Sequence, residues 1–453
     1  MMIWVLTDRM DLTEGVYIFM TMLSAVGFIT IIVMVALMLS GKISLPPILI
    51  ILPILAALVT GFSISDITGF LSNGLSSVLN TAALFTFSVI FFNMLGDVGM
   101  FDLIVSKILK VMGNHVYLIL LMTCLVATIS HLDGSGATTM LITIPTMLPL
   151  FKKMNLKPTL LLLYVGPTSG VVNMPPWASA VMRLCSATGL DVYETYSAVM
   201  PVQIVALILV YLSCFPMGMW LAKRGYGMTD EEFQVLKSGA LKEPVVQVKK
   251  GVLIFDMIFT VALIVLMLVG ILNANLSFMI ALAIGAIVNF PNPKDQVAQI
   301  KKHGSNALYM VMIIFSIGIL VGIMNGTGIM EAMTNTLIGI MPESMGSHLP
   351  FILCLISVPL SMCVGSDTVY MVIAPILGEM TVAFGGSMLQ AGAALMVGSC
   401  LSPNLALIGP TPYLALGLAG VEMGDHLKAN FLPTWIFGIV MAVIAVLFGV
   451  FPF

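Results

Sequence analysis

The stretch SHLDGSGATTMLITIP, residues 130–145, decides the fold of this chain. It places a histidine, an aspartate and several hydroxyl residues around two glycines, between two strongly apolar runs. A polar, glycine-rich turn interrupts helical hydrogen bonding. Inside a bilayer such an interruption survives only where it is buried in protein or lines a water-filled cavity. The stretch therefore predicts the tip of a helical hairpin that enters the membrane and returns.

The composition around this stretch is that of a membrane protein. Of the 453 residues, 59% are hydrophobic and only 9% are charged, whereas soluble proteins carry about 25% charged residues. Many apolar runs reach the roughly 18 residues that can cross a hydrocarbon core. The sequence predicts an all-α polytopic membrane protein embedded in the lipid bilayer. The net charge of −3 implies that nucleic acid is not a partner.

We predict about ten membrane-spanning segments and two re-entrant hairpins. The segments of the first half are spans near 17–40, 44–62, 80–97, 158–190 and 198–222, and a hairpin at about 115–151. The segments of the second half are spans near 251–272, 275–291, 306–325, 388–420 and 432–452, and a hairpin at about 349–384. Glycine and proline interrupt the spans at 158–190 and 388–420, so each of these is predicted to be a broken transmembrane helix.

The basic residues agree with this topology. If both hairpins re-enter, every lysine and arginine except Arg9 and Arg183 faces one side, which the positive-inside rule identifies as the cytoplasm. The protein is then expected in the cytoplasmic membrane, with basic loops inside and both termini outside. Hairpins that cross fully also satisfy the rule, but they place an extra pair of crossings around polar turns. A cytoplasmic linker at 223–250 divides the chain into a first repeat, 1–222, and a second, 251–453.

The two halves resemble each other at their interruptions. GSGATTMLITIP at 134–145 resembles GSDTVYMVIAPI at 365–376, displaced by about 231 positions. VGPTSGVVNMPP at 165–176 resembles VGSCLSPNLALIGPTP at 397–412 at a similar offset. Because the linker gives the copies opposite orientation, they are inverted-topology repeats, which are typical of secondary transporters. Chance similarity among Gly/Ala/Leu-rich helices is the alternative.

Two hairpin tips and two broken helices are therefore predicted to meet near the middle of the membrane. Helix N-termini offer free N–H groups that suit a carboxylate, and freed carbonyls, hydroxyls and carboxylates suit a small cation. The interruptions can thus serve an anion, a cation or both. The polar residues predicted to line the site are Thr138, Thr139, Thr168, Ser169, Asn173, Ser366, Thr368 and Asn404.

Ionisable residues inside a membrane are costly and usually functional. Asp133 and Asp367 occupy equivalent tips, and we predict that each coordinates a metal or carries a coupled proton, with a capping role as the alternative. His131 is a candidate for the same task or a hydrogen-bonded spacer. Arg183 suits a carboxylate because its fork binds two oxygens, although an ion pair with Asp133 or Asp367, or a place nearer the outer surface, is also open. Trp177 is expected either beside the substrate or at the membrane interface.

Other ionisable residues fall at the edges of predicted segments. We expect four histidines at the surface: His115, His303, His348 and His426. We expect three acidic residues near the linkers that precede the hairpins to be solvated: Asp97, Asp102 and Glu331. The candidate site is thereby limited to the four interruptions.

Four stretches together resemble the CitMHS family of citrate–divalent-metal:proton symporters, over nearly the whole chain. They are HLDGSGATTMLITIPTMLPLFKKMNLKP (131–158), VVNMPPWASAVMRL (171–184), VGSDTVYMVIAPIL (364–377) and TPYLALGLAGVEMGDHLK (411–428). The resemblance implies membership of a wider ion-transporter superfamily, a homodimer, and an elevator motion. It also implies proton-driven uptake of citrate chelated to Mg²⁺, Ca²⁺ or a transition metal. The metal belongs to the substrate, and no permanently bound cofactor is expected.

The family pattern carries over to individual positions of this chain. The matching residues are Asp133, Thr138, Thr139, Asn173, Trp177, Arg183, Ser366 and Asp367. At the position of the family's second tip aspartate this chain has Ser135, which we include among the substrate-binding candidates. The lost negative charge can alter the metal preference, the proton coupling or the carboxylate that is carried.

The charge of citrate supports a metal complex. Citrate is a trianion near neutral pH, and burying that charge is very costly, yet Arg183 is the basic residue placed inside a span. Chelation of a divalent metal lowers the charge to about −1. The alternatives are an H⁺- or Na⁺-coupled di- or tricarboxylate carrier, a cation/proton antiporter, a channel and, remotely, an intramembrane enzyme. For an aspartyl protease pair, Asp367 lies in V-G-S-D rather than G-x-G-D.

Overall fold

The computed structural model describes most of the chain, and every regular element in the described part is a helix. The described residues are 21–40, 42–100, 115–132, 134, 136–227, 229, 250–268, 271–340, 343–407 and 410–453. The prediction of an all-helical protein rich in apolar helices is confirmed. Most of the predicted cytoplasmic linker lies outside the described residues, as do Asp102, Asp133 and Ser135.

The helices follow the predicted segments closely. Those of the first half are α1 (Met22–Ser40), α2 (Leu45–Val59), α3 (Ile64–Asp97), α4 (Val116–Ser130), α5 (Gly136–Lys153), α6 (Pro158–Val172), α7 (Ser179–Thr188) and α8 (Val192–Ala222). Those of the second half up to the tip are α9 (Lys250–Leu268), α10 (Ala274–Asn289), α11 (Pro293–Gly326), α12 (Ile329–Ile338), α13 (Glu343–Gly346) and α14 (Leu349–Val364). After the tip come α15 (Ser366–Thr368), a π-helical segment (Val369–Ile373), α16 (Ala374–Ala383), α17 (Met388–Ser399), α18 (Pro410–Ala419) and α19 (Met423–Leu447).

Side-chain caps fix several helix starts. Ser63 and Asp66 form a capping box at the start of α3, and Ser387 and Gln390 form another at the start of α17. The Asp191 side chain accepts from the Glu194 N–H at the start of α8. Each cap satisfies N–H groups that a helix cannot pair internally. Local polar residues thus set where the apolar helices begin.

Four described helical segments are long and apolar enough to cross a membrane: Ile64–Asp97, Val192–Ala222, Ala307–Gly326 and Met423–Leu447. Shorter apolar helices make up the rest, so the count of about ten spans stays a prediction. The segment Ala307–Gly326 agrees with the span predicted near 306–325. The helices themselves extend beyond the predicted spans near 80–97 and 306–325, because α3 and α11 each run for 34 residues. At 1.5 Å per residue such a helix is about 51 Å long. The first turns of both helices contain polar residues, so hydropathy alone does not identify them as helical.

The two long helices cross at glycines. A Cβ on Gly74 of α3 would lie 2.0 Å from the carbonyl oxygen of Gly318 and 3.0 Å from Cα of Gly322, both in α11. Small residues let two membrane helices approach backbone to backbone, where van der Waals packing holds them. This crossing is the central contact between the first and second halves.

The four interruptions lie where they were predicted. We call α4 with α5 the first hairpin, α6 with α7 the first broken helix, α14 to α16 the second hairpin, and α17 with α18 the second broken helix. Gly134 and Gly365 turn the two tips with φ of +71° and +83°, which favour glycine. The first hairpin packs with α6, α8 and α18 around its own apolar cluster. Entry into the membrane, the inverted orientation of the halves and the domain division stay predictions.

Candidate functional site

The first hairpin tip is fixed by the first broken helix. The Trp177 indole N–H donates to the Leu132 carbonyl over 2.9 Å, and its ring packs against Phe92 and Phe278. A Cβ on Gly134 would lie 3.2 Å from the backbone of Ala178. Trp177 is buried, because the proline break that precedes it turns the ring toward the tip. The structure therefore places this residue in the interior, against the hairpin.

Neutral polar groups surround this tip. The buried His131 Nδ1 shares a hydrogen bond of 2.6 Å with Thr139 Oγ1. The Asn173 side chain lies beside the imidazole, but His131 Nε2 and Asn173 Oδ1 are both buried without a hydrogen-bond partner among the described residues. Thr138 is half-buried one position before Thr139. The roles of Asp133 and Ser135 stay predictions, because both lie outside the described residues.

The two broken helices cross each other at their interruptions. A Cβ on Gly170 would lie 2.1 Å from the Cys400 carbonyl oxygen, so the backbones touch. Asn404 Nδ2 donates to Ser169 Oγ over 3.4 Å, and the Thr168 hydroxyl donates to its own helix. Asn404 Oδ1 is buried without a partner in the described part of the chain. These contacts join two of the predicted polar liners, Ser169 and Asn404, across 235 positions.

His426 supports this crossing, so its expected place at the surface is wrong. Its Nε2 bonds the Asn404 carbonyl at 2.9 Å, and its Nδ1 lies 2.9 Å from the Asn430 amide nitrogen. Because the amide nitrogen only donates, Nδ1 accepts and Nε2 carries the proton. The Asn404 carbonyl lies in the interruption, where no helix pairs it, so the buried imidazole N–H supplies its hydrogen bond. Asp97 is likewise not simply solvated, because it pairs with Lys302 and His303.

An ion pair lies at the second hairpin tip. Arg183 of the first broken helix forms an ion pair with Asp367, and its Nη2 lies 3.5 Å from Met310 Sδ in α11. The side chain of Arg183 is 15% exposed and that of Asp367 is 40% exposed. The sequence left three alternatives for Arg183: a substrate carboxylate, an ion pair, or a place nearer the outer surface. The structure shows the ion pair, with Asp367. The neighbouring Thr368 is buried.

Several buried polar atoms near this tip lack a partner among the described residues. They are Arg183 Nε, Ser361 Oγ, Ser366 Oγ, Tyr370 Oη and Ser399 Oγ. Buried polar groups are nearly always hydrogen-bonded, so these atoms are available to bond a ligand, an ion or water. Sequence reasoning missed Tyr370. Its position one turn after the tip aspartate was the available signal.

The interruptions are linked in a chain of contacts. A Cβ on Gly136 at the first tip would lie 3.1 Å from Thr411 Cγ2 in the second broken helix. The Leu407 N–H donates to the Met362 carbonyl just before the second tip. The described contacts therefore connect the two tips through the second broken helix.

A buried carboxylate lies elsewhere, and sequence reasoning missed it. Asp256 in α9 is 1% exposed, and its Oδ1 accepts from Asn289 Nδ2 over 3.0 Å. A lone aspartate inside the predicted span at 251–272 was the signal. Within the described residues no group of three or more His, Cys, Asp or Glu could hold a metal ion. Asp133 lies outside those residues.

An apolar helical bundle whose interrupted helices meet in its interior is the architecture of a secondary membrane transporter. The chain belongs to the CitMHS family, the citrate transporters, whose pattern matches residues 2–301. It is 34% identical over 436 residues to a citrate transporter of Bacillus subtilis, covering 95% of this chain and all of that protein. It is 31% identical over 434 residues to a Mg²⁺/citrate complex secondary transporter of the same species, covering 94% and 99%.

A solved structure has the same fold. The YdaH transporter of Alcanivorax borkumensis aligns with a TM-score of 0.58 at 14% identity, over 94% of this chain and 98% of that one. At this identity the likeness concerns the fold alone. The predicted family is confirmed by the sequence matches.

Proposed function

We propose that this protein takes up citrate as a complex with a divalent metal ion, driven by protons, through an elevator motion of a homodimer in the cytoplasmic membrane. The chain's family is that of citrate transporters. The metal complex is supported by the name of one relative, a Mg²⁺/citrate complex transporter, and by the charges at the second tip. The homodimer and the elevator motion come from the family resemblance, and the orientation comes from the basic loops.

The Arg183–Asp367 pair is the observation that carries the metal complex. The two charges cancel, and both lie where unpaired hydroxyls also point inward. A trianion buried there would keep about three uncompensated charges, which is far more costly than burying a complex of charge about −1. The site therefore suits a metal chelate of citrate better than free citrate.

The same pair offers a route for proton coupling. Asp367 is partly exposed while Arg183 is mostly buried, so a proton can reach the carboxylate without the arginine leaving its place. Protonation of Asp367 removes its charge and frees the Arg183 fork for a substrate carboxylate, which it can bind through two hydrogen bonds. Binding of a proton and binding of the substrate then favour each other. His131 and Asp133 remain further candidates for the proton or the metal.

Uptake into proteoliposomes tests this function. Radiolabelled citrate is supplied with Mg²⁺, Ca²⁺, Mn²⁺ or Zn²⁺, or with a strong chelator in excess, under an inward proton gradient. We expect uptake to need one of the metals, to fall with a protonophore and to be independent of Na⁺. Equal uptake in excess chelator would contradict the metal complex, and a requirement for Na⁺ would contradict the proton.

A second candidate is a proton-coupled carrier of another carboxylate. Ser135 favours it, because one negative charge of the family pattern is absent at the first tip. Competition of unlabelled di- and tricarboxylates, each with and without metal, decides between the two. A dicarboxylate that outcompetes metal-citrate would make this candidate the better one.

A further inference from the structure

A cavity of about 440 Å³ lies between the two halves, away from the hairpin tips. Its walls come from the first turns of α3, the end of α7, the end of α11 and the return arm of the second hairpin. Its volume falls in the range of small-ligand sites, roughly 300–1,000 Å³. None of its lining residues belongs to a tip, so it is a compartment distinct from the four interruptions.

The charge of this cavity is negative. Glu379 is the charged residue among those that line it, and no lysine, arginine or histidine does so. Within the described residues Glu379 has no ion-pair partner. A carboxylate in a cleft with low-dielectric walls raises the local concentration of cations and lowers that of anions.

The hydroxyl groups of the cavity walls also favour a cation over an anion. Ser77 Oγ donates to the Gly74 carbonyl over 2.8 Å, Ser186 Oγ to the Met182 carbonyl over 2.6 Å, and Thr188 Oγ1 to the Leu184 carbonyl over 2.8 Å. Each hydroxyl has one proton, and each proton is already used within its own helix. Toward the cavity these three oxygens can therefore act only as acceptors.

Oxygen acceptors with one carboxylate are the ligands of hard divalent cations. Mg²⁺ in particular keeps several of its waters and is bound through one or two carboxylates. The cavity also contains the amides of Asn73 and Asn325, whose oxygens can turn toward a cation or its waters. A free polyanion would find neither a positive charge nor a hydroxyl donor on these walls.

The cavity lies close to the charged tip along the chain. Ser186 is three residues after Arg183 on α7, which places it one turn further on nearly the same face. Glu379 lies on the arm that begins with Asp367. The Ser186 edge of the cavity is thus one helical turn from Arg183, whereas Glu379 lies about 18 Å of helix from Asp367.

We propose that this cavity is a binding site for a hydrated divalent cation, held by Glu379 and the acceptor oxygens of Ser77, Ser186 and Thr188. Alone, the cation occupies the cavity weakly, with a Kd of about 1 mM. In transport, the negative charge of this cavity favours a metal–carboxylate complex over the more highly charged free anion. That consequence rests on the proposed function, whereas the cation site itself does not.

Binding of Mn²⁺ to the purified full-length protein, without citrate, tests the site by paramagnetic resonance. We expect Glu379→Gln to weaken Mn²⁺ binding about tenfold, and Asn325→Lys, which places a positive charge in the cavity, to abolish it. The matched control is Glu194→Gln, which removes an exposed carboxylate outside the cavity. Unchanged Mn²⁺ binding in Glu379→Gln would overturn the proposal, and Asn325→Lys decides the question if the first variant fails to insert.

Inhibition of metal-citrate uptake by free citrate gives the second readout. Glu379→Lys should lower the inhibition constant of free citrate about tenfold at low ionic strength, and the effect should shrink as salt screens the charge. If uptake proves independent of metal while Mn²⁺ binding still depends on Glu379, the proposed function fails and the cation site stands. If uptake needs metal but Mn²⁺ binding does not depend on Glu379, the cation site fails and the proposed function stands.

Discussion

The two hairpin tips turn on similar glycines, but their polar groups are satisfied in different ways. At the first tip, neutral hydrogen bonds link Trp177 to the Leu132 carbonyl and His131 to Thr139. At the second tip, Arg183 reaches Asp367 from another helix, and nearby buried hydroxyls have no partner among the described residues. Both tips keep buried polar atoms without a partner among the described residues, such as His131 Nε2 and Asn173 Oδ1 at the first. The difference teaches that neutral hydrogen bonds hold the described part of the first tip, whereas an ion pair holds the second.

The largest expected effect is at the charged tip. Arg183→Lys keeps the charge but loses the planar fork, so one amine must serve both Asp367 and a substrate carboxylate. We expect uptake efficiency to fall about 30-fold or more, equivalent to about 2 kcal/mol. Steady-state uptake kinetics in proteoliposomes measure this change.

The control for that variant is Arg224→Lys, at an arginine that stacks on Trp220. It should leave uptake unchanged. Uptake by Arg183→Lys with normal KM and maximal rate would remove the second tip from the site and end the contrast between the tips.

The next effect concerns the crossing of the two broken helices at Gly170. Gly170→Ala places a methyl group against the Cys400 carbonyl, and such overpacking costs about 1–3 kcal/mol. We expect a lower melting temperature of the purified protein and weaker uptake. Gly417→Ala is the control, because a Cβ there meets nothing within 4 Å.

Both glycine variants gain the same helix propensity, so their difference isolates the steric clash. Equal melting temperatures would show that the two broken helices do not touch at this point. The contacts between the tips would then run by another route.

A smaller effect is expected from the hydrogen bond that Trp177 donates at the first tip. Trp177→Phe and Trp435→Phe each delete one indole N–H that donates to a carbonyl over 2.9 Å. Each loss should destabilise the protein by about 1 kcal/mol. Only Trp177→Phe should also lower uptake, because only its carbonyl partner belongs to a tip. Similar uptake by both variants would mean that the first tip needs no such support.

The smallest effect is expected from a single hydroxyl. Ser366→Ala removes an unpaired buried oxygen, so stability should stay within about 0.5 kcal/mol of the parent. If that hydroxyl bonds the substrate, KM rises about threefold. Ser76→Ala, whose hydroxyl bonds its own helix, serves as the control for both measurements. An unchanged KM would show that the Ser366 hydroxyl does not bond the substrate. The ion pair would then be the part of the second tip that binds it.

Local features of the chain could be predicted because they depend on neighbouring residues. Glycine and proline mark the tips and breaks, and α4, α5, α14 and α17 begin and end within a few residues of the predicted bounds. The starts of α3 and α11 could not be found in this way. Their first turns are polar, and a polar helix end resembles a loop when only hydropathy is considered.

Contacts between residues far apart in the sequence were harder to predict. The partner of Arg183 could be narrowed to two aspartates, but the choice of Asp367 depends on packing between residues 184 positions apart. His426, Tyr370 and Asp256 were missed as buried groups for the same reason. A single histidine, tyrosine or aspartate has the same local sequence pattern whether its side chain faces solvent or another helix.

The π-helical segment Val369–Ile373 sets the rotation of the arm that leaves the second tip. One such segment adds a residue to the helix and turns everything after it by about 100° relative to a regular α-helix. With that turn, Asp367 and Glu379 fall within about 20° of one another around the helix axis, instead of about 120° apart. A single irregular turn thus aligns two carboxylates into an acidic stripe. If the arm were a regular α-helix of the same length, Glu379 would be rotated by about 100° away from Asp367.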